Sequence, residues 1–230
     1  MLEPVADIGG AAQPLLHVNG LTKHFPVRGG LFSPRKTVRA VDDVTFSVMK
    51  GETVGIVGES GCGKSTTARL LMHLMTRDAG DIIYDGRQVG PALSLRDLRR
   101  GVQMVFQDPY ASLHPRHTVD RVLAETLKLQ GMDDVDRRIA RLLDDVGLGQ
   151  GFRFRYPHQL SGGQKQRVVI ARALTLKPKL IVCDEVVAAL DMSIRGDVLN
   201  LFADLQRDLG LTYVFITHDL AVVSHISERV

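Results

Sequence analysis

The residues with the clearest capacity for chemistry lie in the segment Gly58–Thr66, whose sequence is GESGCGKST. It matches the pattern G-x-x-x-x-G-K-[ST] and follows the β-branched run Thr53–Val57. Glycines let such a loop curl until its backbone N–H groups converge on phosphate oxygens, and the following helix N-terminus adds partial positive charge. Lys64 would reach the outer phosphates of a nucleotide, and the Ser65 hydroxyl would ligate Mg²⁺. The candidate nucleotide-binding residues of this loop are Gly58, Ser60, Gly61, Cys62, Gly63, Lys64, Ser65 and Thr66.

Two adjacent carboxylates, Asp184 and Glu185, follow the apolar run Leu180–Cys183. A buried parallel strand places its C-terminal end at the edge of an open α/β sheet, where ligands bind. Next to a phosphate-binding loop, Asp184 would hold Mg²⁺, and Glu185 would polarise a water molecule for in-line attack on a γ-phosphate. Together the two segments predict the binding and hydrolysis of a nucleotide.

A third segment, Leu160–Arg167, combines a helix start with two consecutive glycines. Ser161 and Gln164 have the spacing of a capping box, which predicts that a helix begins there. Gly162 and Gly163 weaken the first turn of that helix, so their presence indicates close approach by a phosphate group of another molecule. The string LSGGQKQR resembles the signature motif of the ABC ATPases and is nearly diagnostic of that superfamily.

Other motifs of that family can be matched one at a time. Gln107, in FQDP, resembles the Q-loop glutamine that contacts the γ-phosphate and Mg²⁺, and Asp191, in ALD, resembles the D-loop aspartate. His218, in THD, resembles the switch histidine, and Phe25, in LTKHF, holds the position of the aromatic residue that stacks on adenine. The resemblance implies ATP as the nucleotide, catalytic roles for Glu185, His218 and Gln107, and a Mg²⁺ shell of Ser65, Gln107 and Asp184.

The resemblance extends from residue 15 to residue 230 and implies the fold of the family. That fold is an α/β P-loop NTPase with a RecA-like core and an antiparallel β-subdomain, in a single domain over residues 1–230. A helical subdomain is inserted at about residues 108–174. One departure is Val186–Ala188, which stands where Pro-Thr-Ser commonly follows the glutamate. We expect this change to alter packing and to leave hydrolysis intact.

The family also implies a head-to-tail dimer, because each ATP site in it needs two chains. ATP bound at Lys64 of one subunit would be closed over by Ser161 and Gly163 of the other, and hydrolysis would open the interface. The nucleotide-contacting set would therefore include Phe25, Ser161, Gly163 and Asp191 beside the phosphate-binding loop.

A narrower resemblance, to the peptide and nickel importers, is carried by FPVRGGLF at 25–32, QMVFQDPYASLHP at 103–115 and YPHQLS at 156–161. It is closer to the second of the two paired ATPase subunits of that group. It implies a heterodimer with a sister ATPase (a homodimer is the alternative), two transmembrane permeases and an extracytoplasmic substrate-binding protein. Di- and oligopeptides are the expected cargo, with nickel and glutathione as variants. Residues around Tyr110 and Arg155–His158 would contact the permeases.

Alternating strand and helix patterns supply the elements that must position these residues. The predicted strands are 15–21, 44–48, 53–57, 82–84, 102–106, 180–183 and 212–216, and a basic, Gly-rich loop is predicted at 27–39. The predicted helices are 64–75, 119–130, 135–146, 161–174 and 194–209, with another beginning near Asp219 and a loop at 152–160. An all-helical block thus interrupts an α/β core. No closing element is evident near Val230, so we expect a truncated C-terminal end.

Composition limits the class of protein further. Hydrophobic residues make up 44% of the chain and charged residues 24%, as in a folded globular protein. The net charge of +3, the scattered basic residues and the absence of Trp argue against a nucleic-acid partner. No apolar run approaches the roughly eighteen residues that span a bilayer, and Met1–Gln13 lacks the pattern of a secretory signal. Cys62 and Cys183 are its only cysteines, which fits a reducing compartment, provisionally the cytoplasm. The resemblance to the importers implies a peripheral protein at the cytoplasmic face of the cell membrane.

Two other classes of function compete with transport. A soluble ABC ATPase of DNA repair or translation would usually carry two ATPase units and strongly basic inserts, and neither is visible in this sequence. A regulatory module that binds ATP without hydrolysing it is disfavoured by the presence of Glu185, Gln107 and His218.

Overall fold

The computed structural model describes residues 13–27, 36–108 and 112–230. Within them the strands are β1 (Leu16–Val27), β2 (Lys36–Val48), β3 (Thr53–Val57), β4 (Ala79–Tyr84), β5 (Arg87–Gln88), β6 (Val102–Val105), β7 (Leu180–Asp184) and β8 (Thr212–Thr217). The α-helices are α1 (Lys64–Leu71), α2 (Leu95–Gly101), α3 (Val119–Leu129), α4 (Val135–Asp145), α5 (Gly162–Leu174), α6 (Met192–Leu209) and α7 (Leu220–Ile226). Single 3₁₀ turns lie at Gln150–Phe152 and Pro157–Gln159.

The strands form two sheets of different kinds. One is antiparallel with the order β2-β1-β4-β5, and the other is parallel with the order β3-β8-β7-β6. Every residue of β7 and β8 is buried, which is typical of a parallel strand covered on both faces. The antiparallel sheet instead leaves part of its outer surface exposed, and its strands carry polar side chains there.

The central strand β7 divides the hydrophobic core because successive side chains point to opposite faces. Ile181 and Cys183 pack with α3, α4, α5 and α6 in one cluster. Leu180 and Val182 pack with α1 and the antiparallel sheet in the other cluster. Helix α5 contacts α3 and α4 on one side and β6 and α6 on the other, so it connects the helical block to the parallel sheet.

The parallel arrangement decides where the chemistry-bearing residues lie. The C-terminal ends of β3, β6, β7 and β8 meet at one edge of the sheet. The phosphate-binding loop follows β3, Gln107 follows β6, Glu185 follows β7 and His218 follows β8. The fold thus places these four segments at a common edge, including the carboxylates that the sequence predicts there.

The α/β class and the two kinds of sheet agree with the predicted fold, while several boundaries differ. Strand β2 begins at Lys36, where the sequence predicts a loop up to residue 39, because pairing with β1 extends it through the exposed residues 37–39. Helix α1 ends at Leu71, four residues earlier than predicted. Residues 28–35 of the predicted loop lie outside the described residues. Among the described residues, no helix combines the length and apolarity that a bilayer crossing requires.

Candidate nucleotide-binding site

The phosphate-binding loop is closed around the Lys64 side chain. The Lys64 ammonium donates hydrogen bonds to the carbonyl oxygens of Gly58 and Glu59, each at 2.7 Å. Only 7% of Lys64 is exposed, so its charge is held inside the loop by backbone dipoles. A phosphate group entering the loop would therefore find a positive charge already positioned beneath it.

Gly63 fixes the loop against the antiparallel sheet. Its φ of 102° is in the region that favours glycine, and an added Cβ would lie 1.9 Å from the Ala40 carbonyl oxygen of β2. No side chain can be accommodated at that distance, so glycine is required. Residues 59–62 in the same loop are exposed, and no atom lies within 4 Å of the Cβ position of Gly61. The outer part of the loop is open to a ligand.

Ser65, in the first turn of α1, meets the first carboxylate of the β7 end. Its hydroxyl donates to Asp184 Oδ1 at 3.1 Å. Burial raises the pKa of the Asp184 carboxyl above its ordinary value, the nearby Glu185 carboxylate adds to this, and the Ser65 hydrogen bond opposes it. A hydroxyl and a carboxylate are the hard oxygen donors that Mg²⁺ prefers, and a cation would relieve the cost of the buried charge. The donor set therefore fits the metal.

Glu185 and His218 come together at the same edge. Glu185 Oε1 lies 3.3 Å from His218 Nδ1, and 16% of the Glu185 side chain is exposed against 55% of His218. The Glu185 backbone has a φ of 51°, unusual for a residue with a side chain, and its N–H donates to the Ile216 carbonyl at 2.8 Å. Such a conformation costs about 1–3 kcal/mol and is typical of functional sites. The hydrogen bond to β8 helps to hold the carboxylate beside His218.

The structure places the other two predicted contacts around this edge. Gln107 is exposed two residues beyond Val105, and Glu185 lies two residues beyond Cys183, the β7 partner of Val105. Phe25 is half-buried on β1 opposite Val38, two residues along β2 from the Ala40 carbonyl that the phosphate-binding loop contacts. The strand register thus places Gln107 near the end of β7, and Phe25 on the sheet that the phosphate-binding loop contacts.

The signature segment begins α5 through the predicted capping box. The Gln164 N–H donates to Ser161 Oγ at 3.3 Å, and the Ser161 N–H donates to Gln164 Oε1 at 3.0 Å. Gly163 is buried, and an added Cβ would lie 2.6 Å from Ile194 Cγ2 of α6, whereas a Cβ on Gly162 would meet only Leu190 at 3.7 Å. The close approach of a phosphate group is therefore not the whole explanation for the two glycines. Packing of α5 against α6 already requires glycine at position 163.

Asp191 is exposed at the residue before α6, and its carbonyl accepts hydrogen bonds from the N–H groups of Ile194 and Arg195.

Val186 and Val187 are buried in the core, in agreement with the expected packing role of this segment. Arg195 contacts both the Asp191 turn and the turn after His218. Sequence reasoning missed Arg195 and Ile194, since neither belongs to a motif with chemistry of its own.

The site residues fall into two groups in space. Lys64, Ser65, Asp184, Glu185 and His218 form one group at the sheet edge. The hydrogen bonds of Ser161 and the close packing of Gly163 involve Gln164 and Ile194, and among the described contacts none joins them to the phosphate-binding loop. Tyr110, an expected permease contact, lies outside the described residues.

The site has the features of a P-loop nucleotide-binding site: a closed phosphate-binding loop with an ordered lysine, a hydroxyl–carboxylate pair and a glutamate–histidine pair. Comparison with known proteins agrees. Residues 41–188 match the ABC transporter family. The chain therefore belongs to the ABC transporter family, which confirms the family resemblance drawn from the sequence.

Particular relatives are similar over most of this chain. It is 50% identical to the glutathione import ATP-binding protein GsiA of Salmonella choleraesuis (strain SC-B67) and 49% identical to that of Escherichia coli (strain K12). Each match covers 95% of this chain and 36% of the relative, so the chain spans about a third of these relatives. The solved structure of cbiO1 from Clostridium perfringens, part of the ABC transporter complex cbiONQ, superposes with a TM-score of 0.77 at 26% identity. That superposition covers 94% of this chain and 82% of cbiO1.

Substituting the two signature glycines separately tests the packing at the α5–α6 contact. Gly163→Ala should destabilise the protein by about 1–3 kcal/mol, because its Cβ would overlap the stiff Ile194 side chain. Gly162→Ala is the matched control and should be neutral or stabilising by up to about 1 kcal/mol. Urea unfolding of both variants measures the difference. Equal stability of the two variants would contradict the packing role.

The buried Asp184 carboxyl predicts a pH-dependent stability in protein freed of Mg²⁺ and nucleotide. Because its pKa is raised on folding, its ionisation destabilises the protein as the pH rises above the pKa of the unfolded chain. Asp184→Asn should therefore have a higher Tm than wild type at pH 7, and the difference should shrink towards pH 4. Thermal unfolding in a chelator across this range measures the effect. A difference independent of pH would show that the carboxyl charge is not its cause.

Proposed function

We propose that this chain is the ATP-hydrolysing subunit of an importer for short peptides, with the tripeptide glutathione as the most specific cargo candidate. The observation that carries hydrolysis is the Glu185–His218 pair, 3.3 Å apart beside the Ser65–Asp184 pair. The import of glutathione is suggested by the name of the similar proteins from Salmonella and Escherichia coli. A soluble nucleic-acid ATPase has no comparable support.

Binding of ATP would begin at the phosphate-binding loop. The Lys64 ammonium would exchange its bonds to the Gly58 and Glu59 carbonyls for phosphate oxygens, which carry more negative charge. The first turn of α1 would add N–H donors and its partial positive charge. Phe25 would stack on the adenine ring from β1. Gly58, Ser60, Gly61, Cys62, Gly63 and Thr66 would complete the contacts with the phosphates.

Mg²⁺ would be held by Ser65 and Asp184, with Gln107 beside them at the end of β6. When bound, the ion would neutralise developing charge on the phosphate oxygens. Ser65 would then release its hydrogen bond to Asp184, which leaves the carboxylate free to act as an acceptor. The burial that raises the pKa of Asp184 also limits access of water to this position.

Hydrolysis requires a base next to the γ-phosphate and a group that stabilises the attacked oxygens. Glu185 would take the proton from the attacking water, because it follows the strand that carries Asp184 and is only partly exposed. His218 would contact the γ-phosphate and keep the Glu185 carboxylate oriented through the contact at Nδ1. Gln107 would complete the site from the neighbouring strand end.

The separation of the two groups of site residues supports a head-to-tail dimer. Ser161 is exposed at the start of α5 and available to a second ATPase subunit, and Asp191 is exposed at the start of α6. We expect a sister ATPase as that subunit, with two permeases and an extracytoplasmic binding protein completing the importer. The chain would then be peripheral at the cytoplasmic face of the membrane.

The expected permease contact has a distinctive surface. Phe154 is 69% exposed and Tyr156 is 40% exposed, and the rings of Tyr156 and His158 stack with centroids 5.6 Å apart. Exposed aromatic side chains next to Arg155 are typical of protein interfaces. This surface follows α4 and precedes the signature helix α5, so contact with a permease there would be close to the dimer interface.

Removing the base separates hydrolysis from binding. Glu185→Gln should lower kcat for ATP hydrolysis by at least about 10²-fold, while ATP affinity stays within about twofold, because only the proton acceptor is lost. Phosphate release and binding of a fluorescent ATP analogue measure the two quantities. Glu125→Gln, on the exposed surface of α3, is the control and should behave as wild type. Comparable turnover in Glu185→Gln would remove this residue from the role of base.

Co-purification of the full-length protein from its native membranes tests the transport proposal. We expect two multi-span permeases, a sister ATPase and a peptide-binding protein to accompany the tagged protein after gentle extraction. Uptake of labelled glutathione by the same cells should then fall to background in Glu185→Gln. Ribosomal or DNA-bound partners without a permease would overturn the importer proposal and leave the ATPase mechanism standing. Uptake of other short peptides without glutathione would correct the cargo.

A further inference from the structure

Arg195 contacts two turns of the site that the catalytic mechanism leaves unconnected. Its Nε donates to the Leu190 carbonyl at 2.8 Å, and its Nη2 donates to the Ala188 carbonyl at 3.2 Å. Both carbonyls belong to the turn that leads into Asp191. The third guanidinium nitrogen, Nη1, lies 3.6 Å from Asp219 Oδ2, directly after His218. One half-buried side chain thus joins the two turns.

The Asp219 carboxylate is itself held in place. Its Oδ1 accepts the Ala221 N–H at 2.9 Å at the start of α7, and its own N–H donates to the Thr217 hydroxyl at 3.1 Å. Because Asp219 is held at the end of β8 and directly follows His218, a displacement of one residue would displace the other. His218 in turn contacts Glu185. The ion pair with Arg195 therefore extends the contact network from the hydrolytic base to the Asp191 turn.

Helix stability does not account for a cation at this position. Arg195 lies in the first turns of α6, where the helix dipole disfavours positive charge. Its charge is instead satisfied by carbonyl oxygens outside the helix and by Asp219. The planar fork of a guanidinium can reach three acceptors in different directions at once, which a lysine ammonium on a flexible stem does poorly. The geometry is that of a brace between two loops.

We propose that Arg195 is a positioning residue that makes the Asp191 turn and the His218 turn move as one unit. Since Asp191 is exposed towards the expected second subunit and His218 contacts the γ-phosphate in the proposed function, Arg195 couples the state of ATP in this site to the subunit interface. The link to ATP and to the second subunit rests on the proposed function. The brace itself rests on the three contacts of Arg195.

Kinetics of the assembled transporter test the coupling. Arg195→Gln should lower kcat about 10-fold, leave KM for ATP within about twofold and reduce the Hill coefficient for ATP towards one, because phosphate contacts remain while coordination is lost. Arg195→Lys should recover part of kcat through a single retained contact. Arg207→Gln is the matched control on the same helix, where an arginine pairs with exposed Asp204 and Asp208, and should match wild type. Arg195→Gln kinetics equal to those of Arg207→Gln would overturn the proposal.

Hydrogen–deuterium exchange of the same complexes tests the brace without turnover. The Leu190 N–H is bonded to the Val187 carbonyl, and the Ala221 N–H to Asp219, so both amides report their turns. Arg195→Gln should accelerate exchange at both amides together, and Arg207→Gln at neither. Faster exchange at the Leu190 amide alone would show that Arg195 stabilises only the Asp191 turn, and would overturn the proposal that it joins the two turns. If the wild-type complex hydrolyses no ATP, the proposed function fails, and the exchange result still decides the role of Arg195.

Discussion

The site depends on complete burial of the central strands of the parallel sheet. Because β7 and β8 are covered on both faces, charged side chains that must meet a ligand lie where these strands end. Asp184, Glu185 and His218 occupy those ends, and the strand register, in which Asp184 is paired with Ile216, brings them to one edge. The same register supplies the Ile216 carbonyl that holds the unusual backbone of Glu185. The packing of the core strands thus also determines where these three side chains lie.

Two close contacts at glycine residues position the phosphate-binding loop and the signature segment. Gly63 brings the phosphate-binding loop against the Ala40 carbonyl of the antiparallel sheet, so the loop and the strand that carries Phe25 form one surface. Gly163 brings α5 against Ile194 of α6, so the signature segment and the Asp191 turn lie side by side. In both places the absence of a side chain lets two elements touch. Glycine is required at these positions because there is no space for a Cβ atom, and at Gly63 also because of its positive φ.

The charged groups of the site have hydrogen-bond partners within the protein. The Lys64 ammonium donates to carbonyl oxygens of its own loop, and the buried Asp184 carboxyl accepts a hydrogen bond from the Ser65 hydroxyl. These groups are held ready by neutral partners that a charged ligand can displace. Preorganisation of this kind reduces the rearrangement that binding and catalysis require.

The sequence by itself determined the class of protein and most of the residues at the sheet edge, because a loop that binds phosphate needs particular residue types at fixed spacing. It also determined the capping box at Ser161, which depends on atoms three residues apart. Only the tertiary structure decided the contact of Gly63 with Ala40, the packing of Gly163 on Ile194 and the brace formed by Arg195. These contacts join segments that are distant along the chain or carry no motif, and no local pattern records them. The start of β2 at Lys36 was likewise set by its partner β1 and not by its own polar residues.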